Sequence, residues 1–312
     1  MKKNIARLIK KTSHLHRFFL PVTFAVLVCV AYTLHLSLLA FTQTQTIHSV
    51  PFSLSAPTEY PLLTSKNTPQ ISAEAALVMD ADSQVVVYSK NPRLRFSPAS
   101  TTKLMTALTA FQYFHPADIL EIKSSNVEPV VVGFQEGQKV RFSDILYGML
   151  VPSGNDAALA ISQNYPGGEA AFVDQMNRNA RLFHLFNTHY GDPIGLTDDS
   201  DYTTVVDLAR LTTIALANPT IHQIVGTKYT TISTLDGTSF SLENTNILLG
   251  EDGVMGVKTG YTEGAREVLV TAVVRGNHTF IIVVMRSDDR FADTKTLINN
   301  VVDNVTFVPI RP

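Results

Sequence analysis

Three short motifs in the chain combine residue types that could carry out nucleophilic catalysis. They are Ser100-Thr101-Thr102-Lys103, Ser153-Gly154-Asn155 and Lys258-Thr259-Gly260, in that order along the sequence. Each pattern alone occurs by chance in many proteins, where a serine and a lysine at this spacing usually mark a solvated helix start. The ordered set of S-x-x-K, S-x-N and K-T-G is much more specific. It predicts a serine nucleophile that is activated by a lysine.

Ser100 and Lys103 have the spacing of a nucleophile and its base on one helix face. Ser100 follows Pro98 and opens an amphipathic stretch, so its backbone N–H points into the positive end of a helix. Residues three apart lie on the same face, which brings the amine within reach of the hydroxyl. A lysine acts as a base near neutrality only if its pKa falls from about 10.4. Burial and a second cation would lower it, and Lys258 is a candidate for that cation.

The second and third motifs supply groups that complete such a site. Ser153 offers a hydroxyl that can pass a proton to a leaving amine, and Asn155 offers an amide that can hold the lysine base and a substrate carbonyl. Lys258 and Thr259 together can hold an anionic carboxylate. Gly260 lets a substrate backbone lie close against the strand.

Several other kinds of site are excluded by the sequence. The chain contains no H-E-x-x-H, C-x-x-C or G-x-S-x-G pattern. Gly253–Thr259 resembles a phosphate-binding loop, but Val257 separates Gly256 from the lysine and the Walker A pattern fails. The single cysteine, Cys29, excludes a disulfide scaffold and a cysteine-based zinc site. No histidine is singled out by its context, so the sequence predicts no metal at the site.

The three motifs lie in longer stretches that resemble the penicillin-binding D-alanyl-D-alanine carboxypeptidases, which are serine peptidases with low-molecular-weight penicillin-binding domains. The resemblance extends from about Ala75 to Leu297. The stretches that carry it are Ser97–Ala107, Leu150–Ala158, Asp192–Leu196, Asn244–Asn246 with Leu248-Leu249, and Gly256–Thr262.

The resemblance implies a catalytic role for four residues. Ser100 would attack the peptide carbonyl and form an acyl-enzyme, and Lys103 would take its proton. Ser153 would relay a proton to the departing D-alanine, and Asn155 would position the lysine and the substrate. No metal and no organic cofactor are implied.

The resemblance also implies how substrate is held. Lys258 and Thr259 would bind the terminal carboxylate, with help from Arg290, and the backbone N–H groups of Ser100 and Tyr261 would form the oxyanion hole. The substrates would be peptidoglycan stem peptides. β-Lactam antibiotics would be covalent inhibitors, because they mimic the D-Ala-D-Ala end and leave an ester on the same serine.

The sequence departs from the family pattern at positions that flank the site. The family usually has Ala-Gly, one variable residue and then Cys or Asn before the strand that follows K-T-G, whereas here Ala265 is followed by Arg266 and Glu267. Arg286 replaces a glycine that usually ends the next strand, and Asp192 stands where Asn is more common. We expect these changes to alter substrate choice or lower activity without touching the motif residues.

The pattern of apolar residues predicts strands at both ends of the main domain and helices between them. The runs Ala75–Met79 and Gln84–Tyr88 predict one hairpin, and Val268–Val274 and Thr279–Met285 predict another. This order predicts an α+β domain whose sheet joins the two ends of the chain. The resemblance implies a β-lactamase/D,D-peptidase-like antiparallel sheet flanked by helices, with a helical subdomain. Helices are predicted at Ser100–Phe114, at Ser143–Leu150 with Ser143 as N-cap, after Asn155, at Ala170–Phe183, at Thr204–Ala217 and at Asp293–Val302.

Charge is distributed unevenly along the chain. Residues 1–17 contain six of the 25 basic residues and no acidic one, which leaves 19 basic against 27 acidic residues in the rest. A basic tail before an acidic body argues against nucleic-acid binding by the body and favours a membrane topology.

The N-terminal segment has the composition of a membrane anchor. Residues 18–41 contain no Asp, Glu, Lys or Arg and would span about 36 Å as a helix, enough for a bilayer core of about 30 Å. Residues 1–17 would then form a cytoplasmic tail and the body would lie outside a bacterial cell membrane. A cleaved signal peptide is the alternative, although Leu38-Leu39-Ala40 lacks the small residue expected at −3. Residues 42–70 predict a flexible linker, and 71–312 the catalytic domain.

Three other functions remain open from sequence. A class A-like β-lactamase needs a glutamate between the second and third motifs, and the chain has none between residues 170 and 242. A non-enzymatic cell-wall-binding relative is disfavoured by the intact motifs but suggested by residues 266–268. A D,D-endopeptidase that cuts cross-links is compatible with a chain that ends soon after the catalytic domain, without the β-rich domain of many relatives. In such a chain we expect the N-terminal anchor to act as the membrane tether.

Overall fold

The computed structural model describes residues 28–33, 57–125, 127 and 129–310. The chain divides into two units, residues 1–49 and 50–312. In the first unit, residues 28–33 are helical. Within the described parts of the chain, no helix has both the length and the apolar character needed to cross a bilayer. Most of the anchor predicted at residues 18–41 lies outside the described residues, so it stays a prediction.

The second unit contains eleven strands among its described residues. They are β1 Glu59–Leu63, β2 Ala75–Asp80, β3 Val86–Lys90, β4 Ile119–Glu121, β5 Lys139–Arg141, β6 Tyr229–Ser233, β7 Ser239–Glu243, β8 Val254–Thr262, β9 Arg266–Arg275, β10 His278–Ser287 and β11 Val305–Pro309. Five of them form the main sheet in the order β3-β2-β10-β9-β8, and every pair in it is antiparallel. The sheet therefore joins the two ends of the domain, as predicted.

Helices fill the middle of the chain and follow the last long strand. Two short 3-10 helices lie at Ala99–Thr102 and Val302–Asn304. The α-helices described are α1 Lys103–Phe111, α2 Phe142–Leu150, α3 Asn155–Asn164, α4 Gly168–Leu182, α5 Val205–Leu216, α6 Pro219–Val225 and α7 Arg290–Asn300.

The main sheet is covered on both faces. All six residues of β2 are buried, and because alternate residues of a strand point to opposite faces, they divide between two apolar clusters. Leu77 packs in the larger cluster with α1 to α6, while Ala76 and Val78 pack in a smaller cluster with Leu297 of α7. Apolar residues thus anchor the sheet to a helical layer on one side and to α7 on the other.

The structure corrects the predicted start of the domain and one helix cap. Glu59–Leu63, which lie within the linker that the sequence predicts at residues 42–70, form β1 and pair antiparallel with β11. The folded unit therefore begins before Ile71. Helix α2 starts at Phe142 after Arg141, and no side chain caps it, so Ser143 is inside the helix and is not its N-cap. The two predicted hairpins are confirmed as β2–β3 and β9–β10.

Candidate active site

Ser100 lies in the 3-10 helix that leads directly into α1. Lys103 is the first residue of α1, and its Nζ lies 2.9 Å from the Ser100 Oγ. Ala99, immediately before the serine, has a φ of +46°, a left-handed conformation that is costly for a residue with a Cβ. The serine is thus presented by a strained turn at a helix start, with its predicted base in hydrogen-bond contact.

Lys103 is fully buried and has three oxygen neighbours. Besides Ser100, its Nζ donates to the Asn155 Oδ1 at 2.8 Å and to the Ile194 carbonyl at 3.1 Å. Burial lowers the pKa of Lys103 to about 7, against an opposing effect of the carboxylates of Asp156 and Asp192. The lysine therefore loses its proton in the neutral pH range. In its neutral form it can still donate two hydrogen bonds and accept one from the serine hydroxyl.

Asn155 and Ser153 are positioned where α3 begins. Asn155 is the first residue of α3, and its backbone N–H donates to the Val130 carbonyl at 2.7 Å. Ser153 is 6% exposed and has a φ of +70°. Both functional serines thus lie at, or next to, a residue with positive φ, which is a kind of strain found at functional sites.

Asp156 is a buried carboxylate that the sequence analysis did not identify. Its two oxygens accept hydrogen bonds from the backbone N–H groups of Val132, Gly133 and Phe134 at 2.9 to 3.1 Å. It thereby ties the loop that precedes β5 to the start of α3, next to Asn155. In the sequence, Asp156 is an acidic residue in the first turn of a predicted helix. Acidic residues are common there because they interact favourably with the helix N-terminus, so the sequence gave no indication of a contact with a distant loop.

The Ile194 carbonyl is the other contact that sequence could not identify, because backbone atoms carry no residue signature. It belongs to a turn held by Asp192, whose carboxylate accepts from the backbone N–H groups of residues 194–197. Within the turn, Gly195 has a φ of +90°, and a Cβ there would lie 2.0 Å from the Ala99 carbonyl oxygen. Only glycine fits between this turn and the residue that precedes Ser100.

Strand β8 brings the third motif to the first. Lys258 is 1% exposed, and its pKa is lowered well below the usual value by burial and by repulsion from Lys103 and Arg290. The Thr259 Oγ1 lies 2.6 Å from the Thr245 Oγ1. Three basic side chains that influence one another's pKa values thus lie at the site, together with a hydroxyl pair that joins β8 to the loop after β7.

The structure gives a different reason for Gly260 than the one predicted. A Cβ at Gly260 would lie 3.0 Å from the Ala99 Cβ and 3.1 Å from the Ser100 nitrogen. The glycine therefore permits close packing of β8 against the turn that carries the nucleophile. Arg290 also contacts β8 at Gly260, since its guanidinium donates to the Gly260 carbonyl at 2.9 Å. Glu267 fixes Arg290 in turn by accepting from its backbone N–H at 2.8 Å.

Tyr261, the residue after Gly260 in β8, is exposed at the surface. Its side chain is 62% exposed, and it lies opposite Glu267 in the pairing of β8 with β9. β8 is an edge strand of the main sheet, so one side of its backbone is not paired by a neighbouring strand of that sheet.

The two arginines that depart from the family pattern adopt glycine-like backbone conformations. Arg266 and Arg286 have φ values of +55° and +52°. Arg286 donates to the Glu74 carboxylate at 3.1 Å and to the Gly264 carbonyl at 2.9 Å, and Arg266 pairs with Glu74 and Asp288. The two arginines thus adopt a conformation that glycine adopts more readily, and their side chains form an ion-pair group beside the β8–β9 turn.

Comparison with known proteins gives one consistent family. Residues 63–289 match the peptidase S11 family, described as D-alanyl-D-alanine carboxypeptidase. The chain is 32% identical over 239 residues to the D-alanyl-D-alanine carboxypeptidase DacF of Bacillus subtilis, covering 73% of this chain but 61% of that protein. It is 30% identical over 260 residues to a D-alanyl-D-alanine endopeptidase of Escherichia coli, covering 80% of this chain and 83% of that one.

A solved structure agrees with these relatives. The crystal structure of the Streptomyces K15 DD-transpeptidase superposes with a TM-score of 0.71 at 30% identity, over 75% of this chain and 98% of that one. Residues 63–289, which match the family model, contain the main sheet and all three motifs described above. The chain therefore belongs to the peptidase S11 family of D-alanyl-D-alanine carboxypeptidases.

Proposed function

We propose that the protein is a serine D-Ala-D-Ala carboxypeptidase that trims peptidoglycan stem peptides through an acyl-Ser100 intermediate. The observation that carries the proposal is the fully buried Lys103, 2.9 Å from the Ser100 hydroxyl and with a pKa lowered to about 7. A buried lysine of this kind can be neutral at physiological pH and can act as a general base.

Acylation begins with the neutral lysine. Lys103 accepts the Ser100 hydroxyl proton while Oγ forms a bond to the carbonyl carbon of the penultimate D-alanine. The backbone N–H groups of Ser100 and Tyr261 stabilise the oxyanion, in keeping with the close approach of β8 to the Ser100 nitrogen. The C–N bond then breaks, and the proton passes through Ser153 to the leaving amine of D-alanine.

Deacylation reverses the same proton movements. Water takes the place of the departed amine, loses a proton to the lysine and attacks the ester carbonyl. The Ser100 oxygen leaves and regains its proton, which releases the shortened peptide and restores the neutral lysine. Asn155, whose amide oxygen accepts from the Lys103 Nζ at 2.8 Å, keeps the base oriented in both half-reactions.

The terminal carboxylate of the substrate would bind beside β8. Lys258 and Arg290 supply positive charge there, and Thr259 supplies a hydroxyl. The Arg290 Nε is buried and has no hydrogen-bond partner within the described part of the chain, so it retains a donor. A peptide backbone that pairs with the free edge of β8 would place its last residue next to this group.

Endopeptidase cleavage of peptidoglycan cross-links is the second candidate. The chain covers 83% of the E. coli protein named as an endopeptidase. The basic side chains beside β8 support the carboxypeptidase, which must accept a free terminal carboxylate, whereas an endopeptidase need not. The two activities share the acyl-Ser100 intermediate and differ only in the leaving group.

We further propose that the enzyme acts outside the bacterial membrane, held there by residues 18–41. The support is the uncharged apolar run and the six basic residues before it. Peptidoglycan is extracytoplasmic, so the catalytic residues must be on that side to reach it. Fractionation of cells that express the full chain, followed by protease treatment of spheroplasts, tests the location and the topology.

Labelling with a fluorescent penicillin tests the activity. The full chain should carry stable label, Ser100→Ala should carry none, and the wild type should release D-alanine from diacetyl-Lys-D-Ala-D-Ala. Label without release, together with cleavage of cross-linked muropeptides, would establish the endopeptidase instead. A folded wild type that takes up no label would contradict the acyl-enzyme and both peptidase activities.

A further inference from the structure

A second group of chemically active side chains lies apart from the three motifs, at the end of the main sheet where β2 turns into β3 and β10 begins. Asp80 ends β2, Asp82 follows it in the turn to β3, and His278 begins β10. One ligand atom from each of these three residues lies within 4.8 Å of the others. Pairing of β2 with β10 brings them together, since Asp80 is opposite Phe280.

Two atoms of this group are buried and have no hydrogen-bond partner. They are the Asp80 Oδ1 and the His278 Nδ1, within the part of the chain that the structure describes. They face each other at 3.8 Å, which is too long for a hydrogen bond. Asp80 is 1% exposed, and an unpaired buried carboxylate oxygen is costly. The other Asp80 oxygen is satisfied by Ser83, at 2.8 Å from its N–H.

These distances fit a shared metal ion better than a direct contact. Zinc binds histidine nitrogen and carboxylate oxygen at about 2.0 to 2.2 Å, so two ligand atoms of one tetrahedral ion lie about 3.3 to 3.6 Å apart. The 3.8 Å separation is only a few tenths of an ångström wider, and a small rotation of the imidazole ring or of the carboxylate closes it. Asp82 is exposed, so its side chain can adjust to become a third ligand, with water completing a tetrahedral site.

The other nitrogen of His278 already has the partner that a metal-bound histidine requires. Its Nε2 lies 3.3 Å from the Glu59 Oε1, and the ring stacks on Phe307. A carboxylate at the far nitrogen fixes the tautomer so that Nδ1 is free to ligate. Glu59 lies in β1 and Phe307 in β11, so both strands of the small sheet orient this histidine.

We propose that Asp80, Asp82 and His278 bind one zinc ion, with Glu59 as the outer carboxylate that orients the histidine. The ion would satisfy the two unpaired buried atoms and offset the negative charge of the three carboxylates. It would join β2 and β10 of the main sheet to the β1–β11 pair. The site is structural, and it is independent of the proposed peptidase activity.

Zinc titration of the full chain tests this proposal. The protein is purified in detergent without a histidine tag, stripped with chelator and titrated calorimetrically with zinc chloride. The matched control is His115→Gln, because His115 and Asp118 form a similar pair at 3.7 Å on the exposed surface. We expect His278→Gln and Asp80→Asn each to bind one zinc ion fewer than the wild type. His115→Gln should bind zinc at this site with the stoichiometry and affinity of the wild type.

Two less disruptive variants, at Asp82 and Glu59, test the proposal if substitution of Asp80 or His278 prevents folding. Asp82 is exposed, so Asp82→Asn should fold and bind zinc at least about tenfold more weakly. Glu59→Gln should weaken binding about 10–100-fold, the range for outer carboxylates. The melting temperature of the wild type should rise with zinc, and that of Asp82→Asn should rise less.

Two results would overturn the proposal. One is an equal zinc stoichiometry and affinity in the wild type, Asp82→Asn and His278→Gln. The other is a cobalt-loaded wild type whose visible spectrum is unchanged by His278→Gln, since a tetrahedral cobalt site gives strong bands that depend on its ligands. Penicillin labelling of Ser100 is measured on the same samples, so a failure of the metal site is distinguished from a failure of the peptidase.

Discussion

Replacing the buried lysine with methionine should abolish acylation and make the folded protein more stable. Lys103 is fully buried with a pKa of about 7, whereas an unfolded lysine titrates near 10.5. Between these two pH values the unfolded chain binds more protons than the folded chain, so the wild type gains stability as the pH rises. A methionine of similar length has no proton to lose and lacks this dependence.

The magnitude follows from the two pKa values. Each unit of pKa difference corresponds to about 1.4 kcal/mol, so burial of Lys103 costs the fold about 5 kcal/mol at pH 6, where the lysine is buried charged, and about 2 kcal/mol at pH 9, where it loses its proton on folding. The stability advantage of Lys103→Met should therefore shrink by about 2–3 kcal/mol between these pH values. Loss of the hydrogen bonds to Asn155 and Ile194 reduces the advantage by the same amount at every pH and cancels in this difference. Relief of the repulsion that lowers the pKa of Lys258 acts in the same direction as the main effect.

The assay is urea unfolding of the wild type and Lys103→Met at pH 6, 7.5 and 9, with fluorescent penicillin labelling at each pH. Lys123→Met is the control, because Lys123 is exposed and donates to the Gln163 carbonyl at the surface. The difference in unfolding free energy between Lys123→Met and the wild type should not change with pH. A constant difference for Lys103→Met would refute the argument, since it would mean that Lys103 has the same pKa in the folded and unfolded chains.

Four further outcomes follow from the geometry. Acylation by penicillin should be half-maximal near pH 7 and should fall on the acid side as Lys103 gains a proton; a midpoint below pH 5.5 would contradict a lysine base. Gly260→Ala should slow labelling of Ser100 by at least about tenfold, because its Cβ would crowd the turn that carries the nucleophile; an unchanged rate in stopped flow would show that the turn can shift. Asp156→Asn should lower the unfolding free energy in urea by about 2–3 kcal/mol, because one amide oxygen cannot replace a carboxylate that accepts from several backbone N–H groups; a loss under 0.5 kcal/mol would mean that the loop finds other acceptors. Arg286→Gly should change the unfolding free energy by less than about 1 kcal/mol, since relief of a left-handed backbone opposes the loss of the half-exposed ion pair with Glu74; a loss above 2 kcal/mol would mean that the contacts of Arg286 with Glu74 and Gly264 hold the β8–β9 turn.

The side chains of the site could be predicted from the sequence because their chemistry depends on residue type, which the sequence gives directly. The spacing of Ser100 and Lys103 predicted a contact, and the structure has it at 2.9 Å. The contact of Lys103 with Asn155 joins positions 52 residues apart, and it was predicted from the amide chemistry of the second motif and from the resemblance to a known family, because local spacing cannot predict it. Helices and hairpins followed from apolar periodicity, which depends on local spacing alone.

The parts that sequence missed depend on backbone atoms or on pairing between distant segments. The Ile194 carbonyl accepts from Lys103, but any residue has such a carbonyl. Glu59–Leu63 follow a polar, proline-containing stretch typical of a linker, and they become a strand only because β11 pairs with them. Arg266 and Arg286 have glycine-like φ values, although side-chain type argues against such a conformation.

The site concentrates features that each destabilise the fold. Ala99 and Ser153 have positive φ values, and Lys103 and Lys258 are buried cations whose pKa values fall because their charged forms are disfavoured. Strain and buried charge persist only where the surrounding structure compensates for them. Here the compensation comes from a sheet buried on both faces, whose edge strand β8 carries Lys258 against the turn that carries Ser100. Substitutions that remove a buried charge from the site should therefore stabilise the protein as they inactivate it, and Lys103→Met is the variant in which the two effects separate most clearly with pH.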